Sequence, residues 1–138
     1  MHEGWHHNDY LILFSEPEAA DASLRYGVAQ WLPGFSAVGL RSWDNLIVKN
    51  SATETFSVPV VPMQAQYLSP FALPPADTVL RGDERFTGKI KWYAKPIVFG
   101  GAPDRSENLV WVSYDEHVKL VSSWNEKYLA AKANASHG

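Results

Sequence analysis

His117 is the histidine of this chain that falls on a strongly signalled helix, next to Glu116, and an imidazole beside a carboxylate is the arrangement that general acid–base chemistry uses. No second histidine stands at i+4, so a helical two-imidazole metal face is missing, and a place on the helix surface or at a helix–sheet contact explains His117 without chemistry. His2, His6 and His7 crowd around Trp5, but adjacent histidines make a metal site only with a further ligand brought alongside. Gly100-Gly101 could cradle an anion, yet the Gly-Lys-Ser/Thr of a phosphate loop does not follow, and the pair reads as a turn. No Gly-x-Ser-x-Gly elbow strains a serine into nucleophile geometry. Asp83, Glu84, Asp104 and Glu107 could act as paired carboxylates, but Arg81, Arg85 and Arg105 are interleaved with them, as in local ion pairs. Lys89, Lys91 and Lys95 around Trp92 and Tyr93 could form a basic–aromatic surface for nucleic acid, or simply the solvated side of a strand. These groups do not add up to an enzyme. No catalytic residue, metal or cofactor is expected.

The composition points the same way. A chain of 138 residues is the size of one domain and can bury a real core. Six Trp, six Tyr and six Phe give it unusual aromatic content, which supplies burial area and candidate contact residues. The absence of cysteine excludes disulfides, thiolate metal sites and a cysteine nucleophile, and fits a reducing cytoplasm. No leader pattern and no apolar run of about 20 residues is read, so neither a signal peptide nor a membrane span is expected. The net charge of −3 is uneven: residues 1–60 hold seven acids against three Lys/Arg, and the remainder eight against nine. Clustered excess base, the mark of a nucleic-acid binder, is lacking. The acidic half is either ordinary surface charge or a face that meets a basic protein.

The elements that would carry these residues are legible in part. Met1–Asn8 reads as a loose terminus, and Asp9–Phe14 as a short β-type run. Ser15 with Glu18 forms a capping box, Pro17 suits a first helical turn, and Glu16, Glu18 and Asp21 favour the positive end of the helix dipole. That predicts a helix over 16–26 closed by Gly27. From Trp31 to Met63 three short strands follow in succession, over 36–40, 46–49 and 56–61. Pro59 places the third at an edge or a bulge. Residues 69–77 are a proline-rich bend, 89–99 a strand broken at Pro96, and 109–112 a last short strand. Ser113 with Glu116 forms a second capping box. Tyr114, Val118, Val121, Trp124 or Asn125, and Tyr128 then give one apolar face to a helix of about 17–19 residues, roughly 27 Å long. Residues 133–138 are expected to fray.

Several of these stretches recur in order in a known superfamily. Tyr10-Leu11-Ile12-Leu13-Phe14-Ser15-Glu16-Pro17-Glu18-Ala19, then Tyr26, Leu32-Pro33-Gly34-Phe35-Ser36-Ala37-Val38-Gly39 and Val58-Pro59-Val60-Val61-Pro62-Met63 resemble the SMI1/KNR4-like (SUKH) superfamily over roughly residues 9–70. The Gly100-Gly101 loop and Trp124-Asn125 are compatible with its longer members. The chain departs from the pattern twice. The N-terminal helical portion with an Asn-Gly turn is not seen, and Leu40-Arg41-Ser42-Trp43-Asp44 stands where a Gly-rich acidic loop often follows. The resemblance implies an α+β fold and a non-enzymatic protein-binding module, many members being immunity proteins that neutralise bacterial toxins, often nucleases. A homodimer that makes up the missing portion is a further expectation.

The sequence therefore predicts a single α+β domain over residues 1–138, with a mixed or antiparallel sheet of five to six strands packed by two main helices. It predicts binding of a protein partner, such as a toxin, through Trp43, Asp44, Glu16, Glu18 and Asp21. A Trp43 folded into the core is the competing reading of that residue. The alternative function is a small-molecule binding protein or enzyme with an aromatic-lined pocket. Nucleic-acid binding through Lys89, Lys91 and Lys95 ranks last.

Overall fold

In the computed structural model, which describes residues 1–102 and 104–137, the chain is α+β. Strands β1 (His2–His6) and β2 (Asp9–Leu13) lead into helices α1 (Glu16–Arg25) and α2 (Val28–Trp31). Strands β3 (Ser36–Arg41), β4 (Asn45–Lys49), β5 (Thr55–Pro59) and β6 (Ser69–Pro70) follow. A separate hairpin of β7 (Ile90–Tyr93) and β8 (Leu109–Val112) precedes the closing helix α3 (Tyr114–His137). The first six strands form one antiparallel sheet in chain order, β1-β2-β3-β4-β5-β6.

Alternation along the strands gives the sheet two covered faces. Tyr10, Ile12, Leu40, Leu46, Val48 and Val58 face the main core, where they meet Ala22 and Tyr26 of the α1 end and Val118 and Val121 of α3. Leu11 and Ile47 pack on the other face against Leu80, Leu13, Val38, Phe71 and Leu73. The proline-rich bend is thus a cover for the second face, and no boundary between domains falls there. The covering segment is anchored at the sheet edge, where Trp5 and Arg81 exchange backbone bonds of 2.8 and 3.0 Å.

Both long helices begin as the sequence predicts. Ser15 and Glu18 complete a capping box, with Glu18 N–H donating to Ser15 Oγ and Ser15 N–H to Glu18 Oε1. Ser113 and Glu116 repeat it at α3. Gly27, at φ 69°, takes the left-handed conformation that ends α1 without the penalty a Cβ would bring.

Three local expectations are corrected. His2–His6 is strand β1, paired along its length with β2, because a backbone partner orders a stretch that its own single apolar residue would not. Ile97–Phe99 is a 3-10 turn, since Pro96 interrupts the β7 ladder and cannot donate to it. Helix α3 spans 24 residues and continues to His137, beyond the point where fraying was expected; Gly138 lies outside the described residues. Pro59 closes β5, past the two residues, Phe56 and Ser57, that pair with β6. Its ring therefore faces an open edge.

Candidate functional site

An apolar cleft of about 410 Å³ is lined by Asp44 and Asn45, by Pro59 to Pro62, by Tyr67 and by residues between Trp92 and Val98. One wall is Pro59 to Pro62, where the chain leaves β5. Asn125 of α3, itself buried, holds this wall: its Nδ2 donates to Val60 O at 2.8 Å and its Oδ1 accepts from Met63 N–H at 2.9 Å. Val60 N–H also donates to Asp44 O, which ties the wall to the β3–β4 turn. The Val61–Pro62 peptide is cis.

The opposite wall is Trp92 and Tyr93 at the end of β7, followed by Pro96, Ile97 and Val98. This turn is held by a close backbone approach. Asn108 bonds both Lys95 N–H and Lys95 O, at 2.8 and 2.9 Å, and Gly101 N–H donates to Pro96 O. A Cβ on Gly101 would run into Lys95 O, so Gly101 is a packing requirement of this turn, while Gly100, at φ 92°, takes the left-handed backbone that favours glycine.

Asp44 closes one end. Lys91 Nζ and the Tyr93 hydroxyl both donate to its Oδ2, at 3.2 and 3.1 Å. Burial alone would push the Lys91 pKa down, but the Tyr93 hydroxyl and the Asp44 carboxylate outweigh it and the ammonium is held above its ordinary value. Tyr93 is raised, by burial first and by Asp44 as well, against the opposing pull of Lys91. The Lys91 ammonium and the Tyr93 phenol therefore both keep their protons at neutral pH and donate hydrogen bonds to the Asp44 carboxylate. Lys91 is thus turned to Asp44, away from the solvated lysine row that a nucleic-acid surface would need.

Trp43 departs from its expected role as a contact anchor. It is 7% exposed and stacks on Tyr10 with centroids 4.9 Å apart, while Phe86 and Trp111 meet it edge-on at 5.1 and 5.4 Å. The β3–β4 turn places Ser42 and Trp43 at φ 46° and 63°, and the indole lies in the core. Asp44 alone of that pair reaches the cleft.

The acids of α1 stand elsewhere. Helix α1 starts beyond Leu13, at one end of β2, whereas Ser42 bonds Tyr10 near its other end. Glu18 accepts from the Met1 ammonium at 2.8 Å and from Ser15, and these bonds hold its carboxyl down at about 2. Asp21 accepts from the Tyr114 hydroxyl at 3.0 Å and pairs with Arg25. Glu16 is exposed in the first turn. The acidic half of the chain is largely neutralised locally, with Asp9 on Arg41 and Asp44 on Lys91 completing the pattern. The five residues read as one contact set therefore divide into a cleft residue, a core residue and three helix-start acids.

His117 is fully buried, with Nδ1 2.7 Å from the Tyr26 hydroxyl and the Trp92 ring edge-on at 5.2 Å. Burial pushes its pKa down to about 3. It is neutral at pH 7 and does not line the cleft, so it packs α3 against the α1 end. Among the described residues no three His, Cys, Asp or Glu side chains gather as a metal-holding group, and no helix is long and apolar enough to cross a membrane.

Sequence reasoning missed Asn125 as a positioning residue and the cleft itself. Two signals were available: a polar side chain on the apolar face of α3, and prolines at 59, 62 and 96 beside pairs of aliphatic residues that no ladder could cover. Comparison of the chain with family models, with curated proteins and with solved structures finds no match.

Proposed function

We propose that this chain is a non-enzymatic protein-binding module that grips its partner at the cleft. The observation that carries this is the exposure of the cleft's own lining. Ile97 is 48% exposed, Val98 41% and Tyr67 44%, side by side on one concave apolar surface. Apolar side chains grouped at the mouth of an open cleft are the surface that a partner's anchor residue desolvates, whereas isolated exposed ones carry no such meaning. The Asp44–Lys91–Tyr93 cluster supplies the polar edge such an interface needs for orientation. The resemblance to the SMI1/KNR4-like superfamily supports a narrower form of the reading, in which the partner is a bacterial toxin and binding neutralises it.

Affinity capture from a lysate of the source cells tests it. Tagged wild-type protein is expected to retain one partner in stoichiometric amount. Ile97→Asp with Val98→Asp should release that partner while leaving the fold intact by circular dichroism. Capture undiminished by the double substitution would remove the cleft from the account.

A further inference from the structure

The hairpin of β7 and β8 leaves one strand edge open. Its ladder runs from Ile90 opposite Val112 to Tyr93 opposite Leu109, and one step further on Ala94 N–H donates to Asn108 O. Hydrogen-bonded and non-hydrogen-bonded pairs alternate along an antiparallel ladder, so Val110 and Val112 turn their backbone groups toward β7, while Leu109 and Trp111 turn theirs away. Among the described residues these outward groups of Leu109 and Trp111 have no hydrogen-bond partner. The next outward N–H, that of Ser113, is already taken by Glu116 in the cap of α3. Val110 is 37% exposed and Trp111 43%, which places this edge at the surface.

The two edges of the large sheet are guarded. Arg81 bridges to Trp5 along β1, and β6 is two residues long and ends in Pro70. Strand β8, Leu-Val-Trp-Val, holds no charge, no proline and no bulge, and such an edge is a template for another strand. Its own pattern selects a copy of itself. Antiparallel pairing joins outward residues to outward residues, and a two-fold axis at Val110 sets Leu109 of one copy opposite Trp111 of the other. Every open group of the one strand then meets an open group of its mate. An axis at Trp111 would set Leu109 against Ser113, whose N–H is occupied. With the axis at Val110 the two Val110 side chains meet, each Trp111 covers a Leu109, and no like charges are opposed along the pair. The same register brings Glu107, exposed and held only by a long 3.5 Å pair with Arg105, level with Ser113 of the other copy, at the hollow that Lys89 shares with Ser113 and Trp111. We infer that β8 pairs antiparallel with β8 of a second copy about a two-fold axis at Val110, joining two hairpins into one sheet. No residue of β8 lines the cleft, so the two surfaces are independent.

Sedimentation velocity of the purified chain, from about 1 μM to about 1 mM, tests this without any other protein. The 15.4 kDa species is expected to pass reversibly into one of twice that mass, with a Kd on the order of 10–100 μM for so small an interface. Amide exchange followed by NMR should show Leu109 and Trp111 gaining protection as concentration rises, a readout that needs no variant. Val110→Lys and Val110→Glu should each stay monomeric over the whole range, because like charges then meet at the axis. An equimolar mixture of the two should recover the dimer, since unlike charges meet there instead. Leu129→Lys, on the 49% exposed Leu129 of α3, should dimerise as the parent does. A parent chain that stays monomeric at about 1 mM overturns the pairing, as does a dimer whose new protection lies elsewhere or which Val110→Lys leaves intact. Failure of the mixture to dimerise overturns the register at Val110. Protection of Leu109 and Trp111 that arises only with a captured partner, in a chain otherwise monomeric, overturns the second copy in favour of a strand of that partner.

Discussion

The hydroxyl of Tyr26 lies 2.7 Å from Nδ1 of His117, and both side chains are fully buried. A neutral imidazole carries one N–H, so whichever nitrogen holds it, Nε2 stands without a partner among the described residues. The pair joins the end of α1 to α3 and fixes the helices over the sheet that carries the cleft.

That pair makes stability depend on acid. His117 has its folded pKa depressed to about 3, against an ordinary 6.5, so the unfolded chain takes up a proton before the folded one does. Its contribution is complete above the unfolded value and is lost as pH falls from about 6.5 toward 3. Between pH 7 and 5.5 the loss from this one group is on the order of 1 kcal/mol, read as a falling urea midpoint. His117→Gln should flatten that slope whatever it does to stability at pH 7. An unchanged slope would show that His117 binds its proton equally well folded and unfolded, contrary to its burial.

Asn125 acts on the cleft through Val60 and Met63. Asn125→Leu keeps the volume but strands a buried carbonyl and a buried N–H, which predicts a loss of roughly 2–4 kcal/mol in urea unfolding. Any residual folded protein should capture the lysate partner more weakly, because the Pro59–Pro62 wall is freed. Retained affinity at full stability would remove Asn125 from the positioning of the wall.

Trp43→Ala is expected to behave as a core truncation, costing roughly 3–5 kcal/mol. Chemical denaturation measures it directly. If the variant were as stable as the parent and failed only in partner capture, Trp43 would be an interface residue after all, contrary to its stack on Tyr10 and its edge contact with Phe86.

Gly101→Ala should destabilise and loosen the Pro96–Val98 wall, because the added methyl meets Lys95 O. Gly82→Ala, where a Cβ meets nothing within 4 Å, should be close to neutral. Thermal unfolding of the two side by side checks the contrast, and equal midpoints would contradict it.

What the sequence made legible was local. Both capping boxes and the Gly27 stop are written within a few residues of the helix ends they set, and the alternation that shapes β3, β4 and β5 is equally short-ranged. Strand β1 was hidden because its order comes from β2 and from Arg81, 76 positions beyond Trp5 in the chain. The fate of Trp43 could not be read from its neighbours, since two positive-φ residues in the turn decide where the indole goes. The cleft joins Asp44, Pro59–Pro62, Tyr67 and Trp92–Val98, stretches with no common pattern. Only the fold brings them into one surface, and the acids of α1, which did share a pattern, proved to be occupied with starting a helix and holding the N-terminus.

The most direct measurement is hydrogen–deuterium exchange of the protein alone and in complex with its captured partner. Binding at the cleft predicts new protection in peptides covering residues 59–63 and 93–98, with α1 unchanged. Protection confined to the start of α1, around Glu16, Glu18 and Asp21, would contradict it and move the interface to the opposite end of β2.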